Sequence, residues 1–200
     1  LVVSNGFGVR IQKNLVFDVI GMCAFPSDDL YEYISGFMCS RVSYRLLQTL
    51  NPTLAFQKGN VDDLPIIIKN NGDIRSFVTD NISLSKLDWD AHETSWDFQG
   101  NELIRLVNKH RSETGANNYP IEAVMMVYQA EWNDKFRQLH ANEEELNRQF
   151  IEIYGLQDEL TPDVSLDEVT ILQKGEIDIV NGEIVWNEGT IIKQLISYFV

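Results

Sequence analysis

Between residues 7 and 19 the side chains alternate apolar and polar (FGVRIQ, then LVFDV) around a two-residue Lys13-Asn14 break, a pattern that predicts a β-hairpin or two short strands. A short apolar run from Met22 to Phe25 ends at Pro26, and Ser27-Asp28-Asp29 offers an N-cap to the next segment. Leu30, Tyr33, Ile34, Phe37 and Met38 then recur at helical spacing, and Val42, Leu46, Leu47 and Leu50 continue the stripe until Asn51-Pro52 stops it. One helix is expected there. A loop, a Gly59-Asn60 turn and an apolar run over residues 64–68 come next.

The turn cluster Asn70-Asn71-Gly72-Asp73 is the clearest boundary, with Asp73 placed to cap a helix that starts at Ile74. Beyond it the pattern is mainly helical. Ser85 and Asp88 have capping-box spacing for a short helix holding Trp89, His92 and Trp96, residues 101–108 form another amphipathic piece, and residues 111–119 read as a polar loop. Pro120 suits the first position of a long helix in which Val124, Val127, Tyr128, Trp132, Phe136 and Leu139 repeat at intervals of three and four. The stripe continues through Leu146, Phe150, Ile153 and Tyr154, with Asn142 and Glu145 marking a restart or a kink and Gly155 the stop. After Thr161-Pro162 the chain turns extended. Asn181-Gly182 between residues 177–180 and 184–186 is a hairpin signature, and the apolar run over 191–200 begins a further helix. The resulting class is α+β: a small strand-rich opening segment, a mainly helical scaffold and a short C-terminal hairpin.

Charge divides the chain at the same boundary. The net charge is -14, but residues 1–70 balance Arg10, Lys13, Arg41, Arg45, Lys58 and Lys69 against Asp18, Asp28, Asp29, Glu32, Asp62 and Asp63, so residues 71–200 carry the whole excess. Phosphate contact normally leaves a basic footprint, so only the first third is a candidate for touching DNA. Cys23 and Cys39 are too few and too far apart for a disulfide framework or a zinc ribbon, and two buried, reduced thiols are expected. No apolar run is long enough for a membrane span and residues 1–20 lack a signal-peptide pattern, which predicts a cytoplasmic protein without membrane contact. A start at Leu1 and a stop at Val200 inside an apolar run read as a piece of a longer polypeptide.

Candidate chemistry is sparse. Asn51-Pro52-Thr53-Leu54 begins like the Asn-Pro-Pro-aromatic tetrapeptide of N6-adenine methylases but lacks the second Pro and the aromatic, so it reads as a helix-stopping turn. Gly6 and Gly8 are too few for a cofactor loop. The stretch from His92 to Trp96 puts Trp where a zinc-protease motif needs its second His, and it reads as a helix face. His110 and His140 read as solvated, and Glu143-Glu144-Glu145 as a solvated helix start favoured by the helix dipole. No catalytic, cofactor-binding or metal-ligating residue is assigned.

Taken in series, residues 30–42 (LYEYISGFMCSRV), 51–68 (NPTLAFQKGNVDDLPIII), 88–98 (DWDAHETSWDF) and 142–162 (NEEELNRQFIEIYGLQDELTP), preceded by the strand-rich opening, resemble the back part of the PglX family. These are the adenine-specific DNA methylases of BREX phage-defence systems, related to single-chain restriction-modification methylases. The resemblance covers about residue 7 to about residue 172, and several matched stretches in order are more specific than any one of them.

The resemblance implies a site-specific N6-adenine DNA methyltransferase that uses S-adenosyl-L-methionine, with its catalytic motif N-terminal to Leu1. On that basis residues 1–70 are expected to be the C-terminal part of a target-recognition domain, 71–173 a helical spacer or scaffold, and 174–200 a hairpin and the start of a helix. The fragment alone is expected to be inactive and to bind no cofactor. Its expected partners are double-stranded DNA, the catalytic domain of the same parent chain and other defence-system subunits. Arg10, Lys13, Asn14, Gln57, Lys58 and Asn60 are the candidate DNA contacts, being cationic or amide side chains at predicted loops and strand ends. A different reading is a protein-interaction module of the same system that docks partners through its acidic face without touching DNA.

Overall fold

The computed structural model describes residues 7–11, 22–53, 56–69 and 72–200. These divide into two compact units, the first drawn from Leu1–Ile82 and Ala141–Val164 and the second from Ser83–His140 and Ser165–Val200. Residues 7–11 are in no strand, and the remainder of the expected opening hairpin, with Lys13 and Asn14, lies outside the described residues. Otherwise the mainly helical class with a short C-terminal hairpin is what is observed.

In the first unit the expected single helix is two, α1 (Tyr31–Met38) and α2 (Arg41–Leu50). The apolar stripe runs through both, but serine chemistry breaks the backbone between them. The Ser40 hydroxyl donates to the Phe37 carbonyl (2.7 Å) and accepts the Ser43 N–H (3.3 Å), while Ser43 Oγ donates to the Met38 carbonyl (3.0 Å). Such local bonds offer the backbone an alternative to the helix ladder. Asn147 completes the new N-terminus by accepting the Arg41 N–H (2.9 Å). The start is also corrected, since Ser27 to Leu30 make a turn (Leu30 N–H to Ser27 O, 2.9 Å) and no side chain caps α1. The stop at Asn51-Pro52 is as expected: Asn51 Oδ1 accepts the Thr53 N–H (3.0 Å), a local turn that cannot continue a helix. In place of the Gly59-Asn60 turn stands a short helix, α3 (Lys58–Asp62).

Helix α4 (Gly72–Asp90) passes through Ser85 without a restart, because Asp88 does not reach back to cap it but accepts the Leu172 N–H (2.9 Å). Helix α6 (Ile121–Tyr154) likewise has no break at Asn142, whose amide donates to Asn81 Oδ1 on α4 (2.8 Å). The Glu143-Glu144-Glu145 run is therefore mid-helix. Glu145 pairs with Arg148 (2.6 Å) and Glu144 accepts the Val164 N–H (3.2 Å). Gly155 ends α6 with φ 67°, as expected.

The first core forms where α1, α4 and α6 meet. Phe150 is fully buried between the rings of Tyr33 and Phe37, at 5.5 and 5.8 Å between centroids, and Phe37 also stacks on Tyr154 at 5.5 Å. Gly36 permits this approach, since a Cβ there would lie 2.6 Å from Val78 Cγ2 and 3.5 Å from Phe150 Cε2. Gly36→Ala is expected to destabilise the protein by about 1–2 kcal/mol, overpacking outweighing the gain in helix propensity. In urea denaturation the pair Gly36→Ala/Val78→Ala should lose less than the sum of the two single changes; strict additivity would show that the two side chains do not collide.

In the second unit α5 (Glu102–Thr114) starts at Asn101, which accepts the Leu103 N–H (2.9 Å), and extends past its expected end until Gly115 at φ 72° stops it. After a 3-10 turn at Leu166–Glu168, strands β1 (Ile177–Val180) and β2 (Glu183–Trp186) pair antiparallel, Ile177 opposite Trp186 and Val180 opposite Glu183. Asn181 and Gly182 both take positive φ, the geometry for which their sequence signature was read. Helix α7 (Glu188–Tyr198) comes after the hairpin, its start closed by Asn187 accepting the Thr190 N–H (3.2 Å). Leu103, Leu106, Trp132, Phe136, Leu139, Ile171, Leu172 and Ile191 form this core. Cys23 and Cys39 are exposed, not buried as expected, and neither forms a disulfide. Among the described residues no helix is long and apolar enough to cross a membrane.

Candidate functional site

The densest polar chemistry is in the second unit, where sequence spacing gave no sign of it. Helix α4 ends at Asp90 and the next turns carry His92 back against the helix, so that its Nδ1 lies 2.7 Å from the Asp88 carbonyl. Its Nε2 lies 2.5 Å from Oε1 of Glu176, a side chain with no exposed surface at the entrance to β1. The same Oε1 accepts from Gln194 Nε2 of α7 (2.6 Å), and Oε2 accepts the Lys174 N–H (2.9 Å).

These distances assign the protons. A carbonyl can only accept, so Nδ1 donates. Glu176 already accepts from the Gln194 amide and the Lys174 N–H as an ionised carboxylate, so Nε2 facing it donates as well and the imidazolium is the form that fits. Burial works against both charges, yet the His92 bond and the Gln194 amide hold the Glu176 carboxyl down at about 2. Burial also opposes the His92 charge, but Glu176 and the Asp88 carbonyl prevail and raise it above its usual value. Asp88 goes the other way, its carboxyl pushed up by burial and only partly offset by the Leu172 N–H and the His92 charge.

Every polar atom of the His92 ring and both oxygens of Glu176 are thus committed to protein partners. The cluster fastens the end of α4, the entrance to β1 and α7 to one another, and both ring nitrogens of His92 are engaged in doing so. His92, read as a helix face, is therefore a half-buried tether. A small cleft is lined by His92 itself together with Asp88, Asn101, Glu102, Tyr128, Trp132 and Gln194. Tyr128 packs on Trp132 and Trp186 at 6.1 and 5.8 Å, and burial among carboxylates pushes its phenol far up. Among the described residues no three potential ligands converge on a metal position.

The sequence-predicted DNA contacts are scattered in role. Arg10 is exposed, its guanidinium donating to the neighbouring Val9 carbonyl (3.0 Å). Gln57 and Lys58 are exposed at the start of α3, and Lys58 pairs with Asp62 one turn on. Asn60 has structural work: its Oδ1 accepts both the Gln57 N–H (2.9 Å) and Asn51 Nδ2 (3.1 Å), fixing the link from α2 to α3. Lys58 and Asn60 lie in this one short helix with Gln57 at its N-cap, while Lys13 and Asn14 lie outside the described residues. His110, expected to be solvated, stacks on Tyr119 with ring centroids 3.9 Å apart.

No protein-family model matches the chain. Two curated proteins are similar to it end to end. The adenine-specific methyltransferase PglX of Lacticaseibacillus casei (strain Zhang) is 34% identical over 201 residues, covering 99% of this chain and 15% of that protein. The adenine-specific methyltransferase BrxX of Escherichia coli O9:H4 (strain HS) is 29% identical over 208 residues, covering 100% of this chain and 16% of that protein. The chain spans less than a fifth of the length of either relative. The resemblance drawn from the matched stretches is borne out: over its whole length this chain is PglX-like, similar to one segment of the PglX and BrxX adenine-specific methyltransferases.

Proposed function

We propose that the chain is the target-recognition and scaffold portion of a site-specific N6-adenine DNA methyltransferase of a bacterial phage-defence or restriction-modification system. The single observation that supports this most is the end-to-end similarity to two proteins named as adenine-specific methyltransferases. In this reading the parent enzyme uses S-adenosyl-L-methionine in the cytoplasm, and its donor pocket and catalytic motif belong to other parts of that longer polypeptide. A methylase must flip one adenine within a defined sequence, so a separate element has to read neighbouring base edges and hold the catalytic domain in register. Residues 1–70 take that part, 71–173 support them, and 174–200 close the scaffold; this is a division of task, whereas the folding units interleave along the chain.

Arg10, Lys13, Asn14, Gln57, Lys58 and Asn60 are the proposed reading set, with Arg10 and Lys58 as its phosphate contacts. The test is binding of the full-length parent protein to duplex DNA across a salt series. The double variant Arg10→Ala/Lys58→Ala should weaken binding and reduce the salt slope by about 2, one for each phosphate contact. An unchanged slope would remove both residues from the interface.

The acid excess of residues 71–200 favours a second reading, in which this half docks a partner subunit through its negative face without touching DNA. In that case DNA binding would survive the double variant, while association with a basic partner would collapse with salt.

A further inference from the structure

Residues 64–69 of the first unit run without a β partner, and their backbone hydrogen bonds alternate. The Tyr154 hydroxyl donates to the Pro65 carbonyl (2.5 Å) and accepts the Ile67 N–H (3.0 Å). The Tyr33 hydroxyl donates to the Ile67 carbonyl (2.8 Å) and accepts the Lys69 N–H (3.3 Å). Two phenols thus stand in for a neighbouring strand along residues 65, 67 and 69, each used as donor and as acceptor. In an extended chain the intervening residues point their N–H and C=O groups to the opposite edge. Among the described residues, those of Ile66 and Ile68 carry no hydrogen bond. Ile66, Ile67 and Ile68 are 40, 43 and 55% exposed. An extended, apolar edge with free backbone groups is a template for a further strand.

The geometry points to a second copy of this chain as the occupant, the two segments pairing antiparallel about a two-fold axis at Ile67. In that register Ile66 of one copy faces Ile68 of the other. Each such pair exchanges both N–H···O=C bonds, so the outward groups of Ile66 and Ile68 on both copies find partners. A shift of the register leaves some of those groups unmatched. The charges agree with the antiparallel sense, because it brings exposed Lys69 at one end of the segment to the end that carries exposed Asp63 in the other copy. The strand pair is short, so the dimer is weak and concentration-dependent, with a dissociation constant on the order of 10–100 µM.

Sedimentation of the whole chain over a concentration series measures this directly. Wild type should move from monomer to dimer, and Ile66→Pro, which removes an outward N–H but none of the tyrosine bonds, should weaken the dimer at least tenfold. Because a proline variant can misfold, cross-linking provides an independent measurement. In a Cys23→Ser/Cys39→Ser background, Ile67→Cys should oxidise to a covalent dimer, since residue 67 faces itself at a non-hydrogen-bonded position with Cα atoms about 4.5 Å apart. The same change at Ile66 should cross-link far less. A wild type that stays monomeric at several times this concentration range would overturn the proposal and leave the edge to a strand of another polypeptide. Equal cross-linking at residues 66 and 67, or a dimer insensitive to Ile66→Pro, would overturn it too.

Discussion

Phe150→Ala is expected to destabilise the first unit by about 3–5 kcal/mol. The ring is fully buried and meets Tyr33 and Phe37 edge-on while lying against Gly36, so truncation removes contacts to α1 and leaves a void. The neighbours are poorly placed to fill it. Tyr33 is tied by its hydroxyl to Ile67 and Lys69, and Phe37 is stacked on Tyr154, itself tied to Pro65 and Ile67. Marginal stability makes a loss of this size a large fraction of the total for a domain. All 4 Trp residues belong to the second unit, so far-UV circular dichroism, and not Trp emission, is the readout for urea denaturation. A loss below about 1 kcal/mol would mean that the ring is not packed as described. Phe150→Leu, which keeps most of the volume, should cost less.

How legible each feature was in the sequence depends on the range of the interactions responsible. The stripe of α6, its stop at Gly155, the end of α2 at Asn51-Pro52 and the Asn181-Gly182 hairpin all rest on local periodicity or on residues suited to a particular backbone geometry. The errors share a cause as well. Asp88 and Asn142 have the local spacing of helix caps, yet both side chains are claimed by distant partners, Leu172 and Asn81, and the helices run on. Ser40 shows the reverse case: inside an unbroken apolar stripe, short hydrogen bonds from one hydroxyl divide the helix.

The polar cluster was illegible for the same reason. His92 and Glu176 stand 84 residues apart, and only the return of the chain after α6 brings them together. A His next to a Glu on a presumed helix gives no hint of this. The proposed DNA contacts were chosen by side-chain type at predicted loops, and the structure separates them by employment. Asn60 is occupied in holding α3 to α2, whereas Arg10, Gln57 and Lys58 are exposed.

Glu176→Ala should cost the second unit about 3–5 kcal/mol, because it leaves the His92 imidazolium, Gln194 and the Lys174 N–H around a buried space with no counter-charge. The pH dependence carries a signature that simple loss of packing would not. His92 is raised above 6.5 in the folded state, so its contribution is complete below about that pH and is lost as pH rises through the folded value. Glu176 is lowered from 4.5 to about 2, so its contribution is present above 4.5 and is lost as pH falls toward 2. The pair therefore stabilises most between 4.5 and 6.5. Asp88, which faces the pair and whose carboxyl is raised by burial, adds stability at low pH that disappears as pH rises through its folded value, and so blurs the acid flank. The alkaline flank identifies His92. Urea midpoints tracked by Trp emission, which reports the second unit, should decline above pH 6.5 in the wild type, and His92→Gln should remove that decline while lowering the plateau. Superimposable pH profiles for the two proteins would show that the imidazole is neutral in the fold, and the proton assignment at Nε2 would have to be abandoned.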